Sequence, residues 1–189
     1  MFERYHLQTL IKRMQEPRRF LQVIMGPRQV GKTTLVTQLA AQVKIDYYFV
    51  SADSVAASNA TWLEQQWEAA RIKLAQHESK EFLLVIDEIR KIDNWSETVK
   101  LLWDTDTRNN LNLKVILLGS SRLLLQQGLT ESLAGRFEST YMGHWSFNEM
   151  QQAFGWNVNQ YVFFVGYPGS ATLIDDEERW KTYLIESLI

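Results

Sequence analysis

The sequence predicts an α/β fold in which helices cover both faces of a mainly parallel β-sheet. Short, mostly apolar runs alternate along the chain with segments whose apolar residues recur at helical spacing. Apolar runs without polar alternation are typical of parallel strands that are buried on both faces. Strands that alternate with helices imply right-handed crossovers, so the expected architecture is a three-layer sandwich.

The elements can be placed in order along the chain. A first helix is predicted from the spacing of its apolar residues, and Pro17 ends it. The predicted strands are residues 20–25, 47–50, 82–86 and 115–118, with a fifth within 137–145. The helices between them are predicted from the apolar stripes Leu35-Val36-Leu39-Val43, Leu63-Trp67-Ala70-Leu74 and Trp95-Val99-Leu102.

Two helix starts are predicted from capping-box patterns. Thr61 with Glu64 forms one such pattern before the long helix that follows the second strand. Ser146 with Glu149 forms another, and it predicts a helix that ends near Phe154.

The first strand runs directly into a phosphate-binding motif. Residues 26–33 fill every fixed position of the pattern G-x-x-x-x-G-K-S/T, between a predicted strand and a predicted helix. The glycines let successive N–H groups point at phosphate oxygens, and the helix adds its positive amino end. Lys32 would reach the outer phosphates, and Thr33 would bind magnesium. The residues expected to contact the nucleotide are Gly26, Pro27, Arg28, Gln29, Val30, Gly31, Lys32, Thr33 and Thr34.

A second motif follows the third strand. Asp87 and Glu88 come directly after a five-residue apolar run, where a parallel strand would deliver carboxylates to the ligand-binding edge of the sheet. Asp87 is predicted to bind Mg²⁺, and Glu88 to orient and deprotonate the attacking water. The alternative is a solvated acidic loop. The chain lacks the D-x-x-G and N-K-x-D patterns of GTPases, which favours ATP hydrolysis.

The fourth strand ends in small hydroxyl residues at the same edge. Ser120 or Ser121 could sense the outer phosphate or hold the attacking water. A Gly-Ser turn that only ends the strand is an equally good interpretation.

Composition narrows the class of protein. The chain has 189 residues, 46% of them hydrophobic, a net charge of −2 and no cysteine. These values predict a globular protein without disulfides or thiolate metal sites, and they fit a reducing cytoplasm. No secretory signal or membrane-spanning run is visible, so no membrane contact is expected. The basic residues Arg4, Lys12, Arg13, Arg18 and Arg19 indicate a solvated face rather than a DNA contact.

Taken together, the motifs resemble a prokaryotic family of AAA-type ATPases whose members usually carry a DUF4143 region after the ATPase domain. The matching runs are 26–34, 84–89, 118–121, 131–136, 146–150 and 166–168. The resemblance implies an additional-strand ATPase sheet. It also implies that Arg136 stabilises phosphoryl charge, in its own subunit or in a neighbour within a homo-oligomer. A buried ion pair or a solvated loop is the alternative for Arg136. Arg90 and His144-Trp145 depart from the family pattern and indicate a subgroup.

The expected organisation is an N-terminal helical segment over residues 1–19, an ATPase core over 20–154 and the start of a C-terminal helical region over 155–189. Trp180, Leu184 and Leu188 lie in helical register, and no cap or polar tail follows them. We therefore expect a fragment of a longer ATPase that self-associates or frays at this helix.

Two functions stay open at this point. One is an ATPase that couples Mg²⁺-dependent ATP hydrolysis to movement of a C-terminal effector domain. The other is a nucleotide-gated switch with little turnover, whose partner is DNA or a protein.

Overall fold

The structure is a computed structural model that describes residues 2–120, 129 and 132–188. Its strands are β1 (Leu21–Met25), β2 (Tyr47–Ser51), β3 (Phe82–Asp87), β4 (Leu113–Gly119) and β5 (Phe137–Tyr141). Its α-helices are α1 (His6–Gln15), α2 (Lys32–Val43), α3 (Ala60–Gln76), α4 (Trp95–Arg108), α5 (Phe147–Phe154), α6 (Val158–Phe164) and α7 (Glu177–Leu188). Short 3-10 helices cover Ile89–Lys91 and Pro168–Leu173. Within these described residues, no helix is both long and apolar enough to cross a membrane.

All the described strands form one parallel sheet in the order β2-β3-β4-β1-β5. Strand β4 therefore lies between β1 and β3, which confirms the predicted additional-strand arrangement. The register aligns Met25 with Gly119 and with Tyr141. Because parallel strands end at the same edge, the segments that follow β1, β3 and β4 meet there.

The core has a layer on each face of the sheet, as predicted. Alternate strand residues such as Ile86 and Leu117 pack with α3 and α4, whereas their neighbours Val85 and Leu118 pack with α1 and α2. This alternation follows from the two-residue period of side chains along a strand. The stripe residues predicted for α3 are all buried, and Trp67 is completely covered.

The two predicted capping boxes have different outcomes. Ser146 caps α5, and Glu149 completes the box by accepting from the Ser146 backbone, as predicted. The Thr61 box is wrong, because α3 begins one residue earlier than Thr61 and has Asn59 at its N-cap position. The Thr61 hydroxyl donates instead to the Asn59 side chain at 3.1 Å.

The C-terminal segment was predicted only as the start of a helical region, and it contains helix α6 and a 3-10 helix before α7. Helix α6 has no buried residue, although Val158, Tyr161 and Val162 recur at helical spacing in its sequence. It packs through Phe163 and Phe164 against the Trp180 ring of α7. Trp180 is 8% exposed as a result. Trp180, the first residue of the predicted C-terminal stripe, is therefore buried against α6.

The basic residues near the N-terminus form the predicted solvated face only in part, since Lys12 and Arg19 are exposed whereas Arg4 and Arg18 have internal partners. Arg4 is 6% exposed and forms an ion pair with Glu149 at 2.8 Å. Arg18 lies over the Trp103 ring at 3.4 Å from its centre. Internal partners therefore take up much of the charge that a nucleic acid would need.

Candidate nucleotide site

The predicted phosphate loop runs from the end of β1 to the first turn of α2. Gly31 has a φ of 91° and Gln29 a φ of 61°, so the loop uses the left-handed region twice. A Cβ atom on Gly26 would lie 2.0 Å from the Met142 carbonyl oxygen. Only glycine therefore fits at the first motif position, where the loop passes the segment after β5.

Lys32 points back into this loop. Its ammonium donates to the carbonyl oxygens of Gly26 at 2.9 Å and Pro27 at 2.7 Å. Burial lowers the pKa of Lys32, and the nearby charges of Glu88 and Asp87 oppose that change. An ammonium has three donors, so one N–H is left for a phosphate oxygen.

The carboxylates lie at the end of β3, opposite the phosphate loop. The Asp87 carboxylate accepts from the Glu88 backbone N–H at 2.9 Å, and burial raises the pKa of Asp87. Glu88 has a φ of 50°, which places its side chain beside the end of β4. There its carboxylate accepts from the Ser120 hydroxyl at 3.2 Å and lies 3.5 Å from Arg90 Nε.

Lys32 and the two carboxylates line one cavity of about 950 Å³ at the carboxyl edge of the sheet. Its walls include Lys32, Thr33, Asp87 and Glu88. The cavity is large enough for a nucleoside triphosphate, since small-molecule sites usually measure ~300–1,000 Å³. Thr33 and Asp87 offer hard oxygen ligands close to the phosphate loop, which is the chemistry that Mg²⁺ requires.

Comparisons with known proteins agree with this geometry. A family model described as an AAA domain matches residues 18–151. The chain belongs to this AAA family. An uncharacterized protein of Methanocaldococcus jannaschii, MJ1544, is 29% identical over 185 residues. That match covers 89% of this chain and 40% of MJ1544, so the chain spans well under half of its relative.

Membership of the AAA family implies nucleotide binding and, in general, an ATPase type of activity. Four of the other predicted nucleotide contacts of this AAA domain also line its cavity, whereas Val30 is fully buried in the core. Those that line the cavity wall are Arg28, Gln29, Gly31 and Thr34. Gly26 and Pro27 do not line the wall, but their carbonyl oxygens accept hydrogen bonds from Lys32, which does. Ser120 does not line the wall but donates a hydrogen bond to Glu88, which does. Ser121, its predicted alternative, lies outside the described residues.

Arg136 lies away from the nucleotide cavity. It immediately precedes β5, and its carbonyl oxygen accepts from Leu21 N–H at the amino edge of the sheet. Strand β1 has five residues, so about 16 Å of strand separates this edge from the phosphate loop. The guanidinium forms a two-point ion pair with Asp104 at 2.8 and 3.0 Å, which raises the pKa of Arg136. The pair is half-exposed, so it is an ion pair but not the buried one that was the alternative. Action on a neighbouring subunit stays a prediction.

Two residues that sequence reasoning missed support the phosphate loop of this AAA domain from behind. Trp145 Nε1 donates to the Val30 carbonyl oxygen at 3.1 Å. Arg4 donates to the same oxygen at 3.4 Å and to the Gly143 carbonyl at 3.0 Å. The one local signal was the Glu149 capping box, since Glu149 is also the ion-pair partner of Arg4.

Asp87→Asn should stabilise the protein while removing a predicted magnesium ligand. Burial raises the folded-state pKa of Asp87 above its ordinary 3.8, so the folded chain binds this proton more tightly than the unfolded chain. Stability from this carboxyl is therefore fully present below the ordinary pKa and is lost as pH rises through the raised pKa. At neutral pH, the uncharged Asn side chain avoids the free-energy cost of burying a carboxylate. Urea unfolding should show a higher midpoint, and Mg²⁺ should no longer strengthen ATP binding.

The matched control for this variant is Asp93→Asn, which neutralises an exposed carboxylate beyond the same strand. Its unfolding midpoint and its magnesium dependence should both match those of the wild type. A fall in the Asp87→Asn midpoint at neutral pH would contradict the prediction that burial disfavours this charge.

Proposed function

We propose that the protein binds ATP together with Mg²⁺ and hydrolyses it to ADP and phosphate. The observation that carries this proposal is the convergence of Lys32, Asp87 and Glu88 in one cavity beside the phosphate loop. A phosphate-binding cation, a metal-binding carboxylate and a second carboxylate for the water are the groups that phosphoryl transfer to water needs.

Each group has a distinct task in this proposal. The N–H groups of the loop and the amino end of α2 hold the phosphate oxygens, and Lys32 reaches the outer ones. Thr33 and Asp87 bind Mg²⁺, which when bound neutralises charge on the phosphate oxygens. Glu88 orients a water molecule and takes its proton. The Ser120 hydroxyl fixes the Glu88 carboxylate through their hydrogen bond.

We further propose that hydrolysis is coupled to movement of a C-terminal effector domain. In this view residues 1–19 are a helical segment beside the ATPase core of residues 20–154, and residues 155–189 begin the region that moves. The proposal is supported by Pro168, Gly169 and Tyr183, which line the same cavity as the phosphate loop. Arg136 would serve the site of a neighbouring subunit if the protein is a homo-oligomer.

A nucleotide-gated switch is the second candidate, and one contact favours it. Glu88 is engaged by both Ser120 and Arg90, which would hold the carboxylate away from a water molecule and slow turnover. In this case ATP occupancy would control affinity for DNA or a protein partner.

Phosphate release separates these two functions. The wild-type chain should release phosphate from ATP only when Mg²⁺ is present, and it should release it more slowly from GTP. The measurement is a coupled phosphate assay with EDTA as the metal-free control. Saturable Mg-ATP binding without phosphate release would contradict the hydrolase and support the switch.

A further inference from the structure

Three separate segments of the chain meet at one point on the phosphate loop. The Tyr183 hydroxyl, from α7, donates to the side-chain oxygen of Gln29 in the loop. Gly169, from the 3-10 helix, lies against both of these groups. A Cβ atom on Gly169 would lie 2.4 Å from the Tyr183 hydroxyl and 3.4 Å from the Gln29 side-chain oxygen. The loop is therefore in direct contact with the C-terminal helix.

Gln29 occupies a conformation that needs support. Its φ of 61° lies in the left-handed region, which is unfavourable for a residue with a side chain. The next residue, Val30, is fixed through its carbonyl oxygen by Trp145 and Arg4. The Tyr183 hydroxyl holds Gln29 in a similar way, by its hydrogen bond to the Gln29 side chain. Both contacts therefore hold adjacent residues of a loop whose backbone N–H groups would face phosphate oxygens.

Helix α7 is held in place by a contact one turn before Tyr183. Trp180 packs edge-on against Phe164, with ring centres 5.0 Å apart, and is 8% exposed. Residues three apart on a helix project from the same face, so the burial of Trp180 places Tyr183 beside the loop. Detachment of α7 would therefore break the bond to Gln29.

We propose that Tyr183 is a positioning residue that couples the docking of α7 to the nucleotide-binding conformation of the phosphate loop. This inference rests on the proposed nucleotide-binding function. The Tyr183 hydroxyl stabilises Gln29 in the conformation that binds phosphate, so docked α7 strengthens Mg-ATP binding. Coupling of two equilibria is reciprocal, so bound Mg-ATP strengthens the docking of α7 by the same factor.

Tyr183→Phe is the direct test, because it removes the hydroxyl and keeps the ring. Calorimetry should give an affinity for Mg-ATP about fivefold weaker than that of the wild type, the size expected for one hydrogen bond. Hydrogen exchange supplies a second readout. Mg-ATP should slow amide exchange across residues 177–188 of the wild type and leave it nearly unchanged in Tyr183→Phe. The matched control is Thr182→Val on the exposed side of the same helix.

Gly169→Ala tests the same contact without removing the hydroxyl. The new methyl group would push the Tyr183 hydroxyl off Gln29, because the two atoms would otherwise lie too close. This variant should reproduce both effects of Tyr183→Phe. The two variants change different residues. If both show the same effects, the effects come from the contact between Tyr183 and Gln29 and not from one altered residue.

A double-mutant cycle with Gln29→Ala then asks whether Tyr183 acts through Gln29. The double variant should bind Mg-ATP as weakly as Gln29→Ala alone, since the second change removes a bond that is already lost. Equal affinity and an unchanged exchange response in Tyr183→Phe would overturn the coupling and leave nucleotide binding intact. Failure of the wild type to bind Mg-ATP would instead overturn the proposed function, and this inference with it.

Discussion

Glu88→Gln is expected to bind Mg-ATP as tightly as the wild type and to hydrolyse it about a thousandfold more slowly. The amide keeps the shape of the carboxylate and can still receive a hydrogen bond from Ser120, but it cannot accept a proton from water. The loss should therefore appear in kcat and leave the affinity unchanged. Single-turnover phosphate release, with affinity measured by calorimetry on the same preparation, separates the two quantities.

Two further variants serve as a control and a comparison for Glu88→Gln. Glu64→Gln changes an exposed carboxylate on α3 and should leave kcat unchanged. Ser120→Ala removes the hydroxyl that donates to Glu88 at 3.2 Å, so its kcat should fall by less than that of Glu88→Gln. If Glu88→Gln hydrolyses ATP at the wild-type rate, Glu88 is not the base, and the switch function becomes the better account.

Lys32→Ala is expected to weaken Mg-ATP binding about a hundredfold, the size of one or two hydrogen bonds to charged groups. Lys32 is 9% exposed, so little water screens its attraction to phosphate. The backbone dipoles of the loop remain in the variant but cannot balance several phosphate charges alone. A ligand that binds only the folded chain raises its melting temperature. Saturating Mg-ATP should therefore raise the melting temperature of the wild type and hardly change that of the variant.

The control for this variant is Lys12→Ala, which removes an exposed lysine on α1. It should keep the full nucleotide-induced rise in melting temperature. An equal rise in a folded Lys32→Ala protein would contradict the assignment of residues 26–33 as the phosphate site.

The sheet and the main site were predictable because their signals are local. The buried strands produce apolar runs, and each predicted strand is confirmed to within two residues at its ends, apart from the carboxyl end of the fifth. That strand ends at Tyr141 rather than at Trp145. Lys32, Asp87 and Glu88 were predicted together because strand ends in a parallel sheet share one edge.

What the sequence could not predict depends on contacts between distant residues. Arg4 and Glu149 are 145 positions apart, and Tyr183 and Gln29 are 154 apart, so neither pair leaves a periodic pattern. Helix α6 lies within the region that was predicted as helical, but no bounds were predicted for it, and its apolar residues Val158 and Val162 stay exposed. For Arg136, the resemblance suggested a role at the phosphates, whereas its partner is Asp104 on α4.

Binding of Mg-ATP in the cavity between Lys32 and Asp87 is tested most directly by calorimetric titration of ATP into the wild-type chain. One titration contains Mg²⁺ and the other contains EDTA. We predict one saturable site per chain in the presence of Mg²⁺ and markedly weaker binding without it. Absence of saturable heat from the folded protein in both titrations would contradict the nucleotide site.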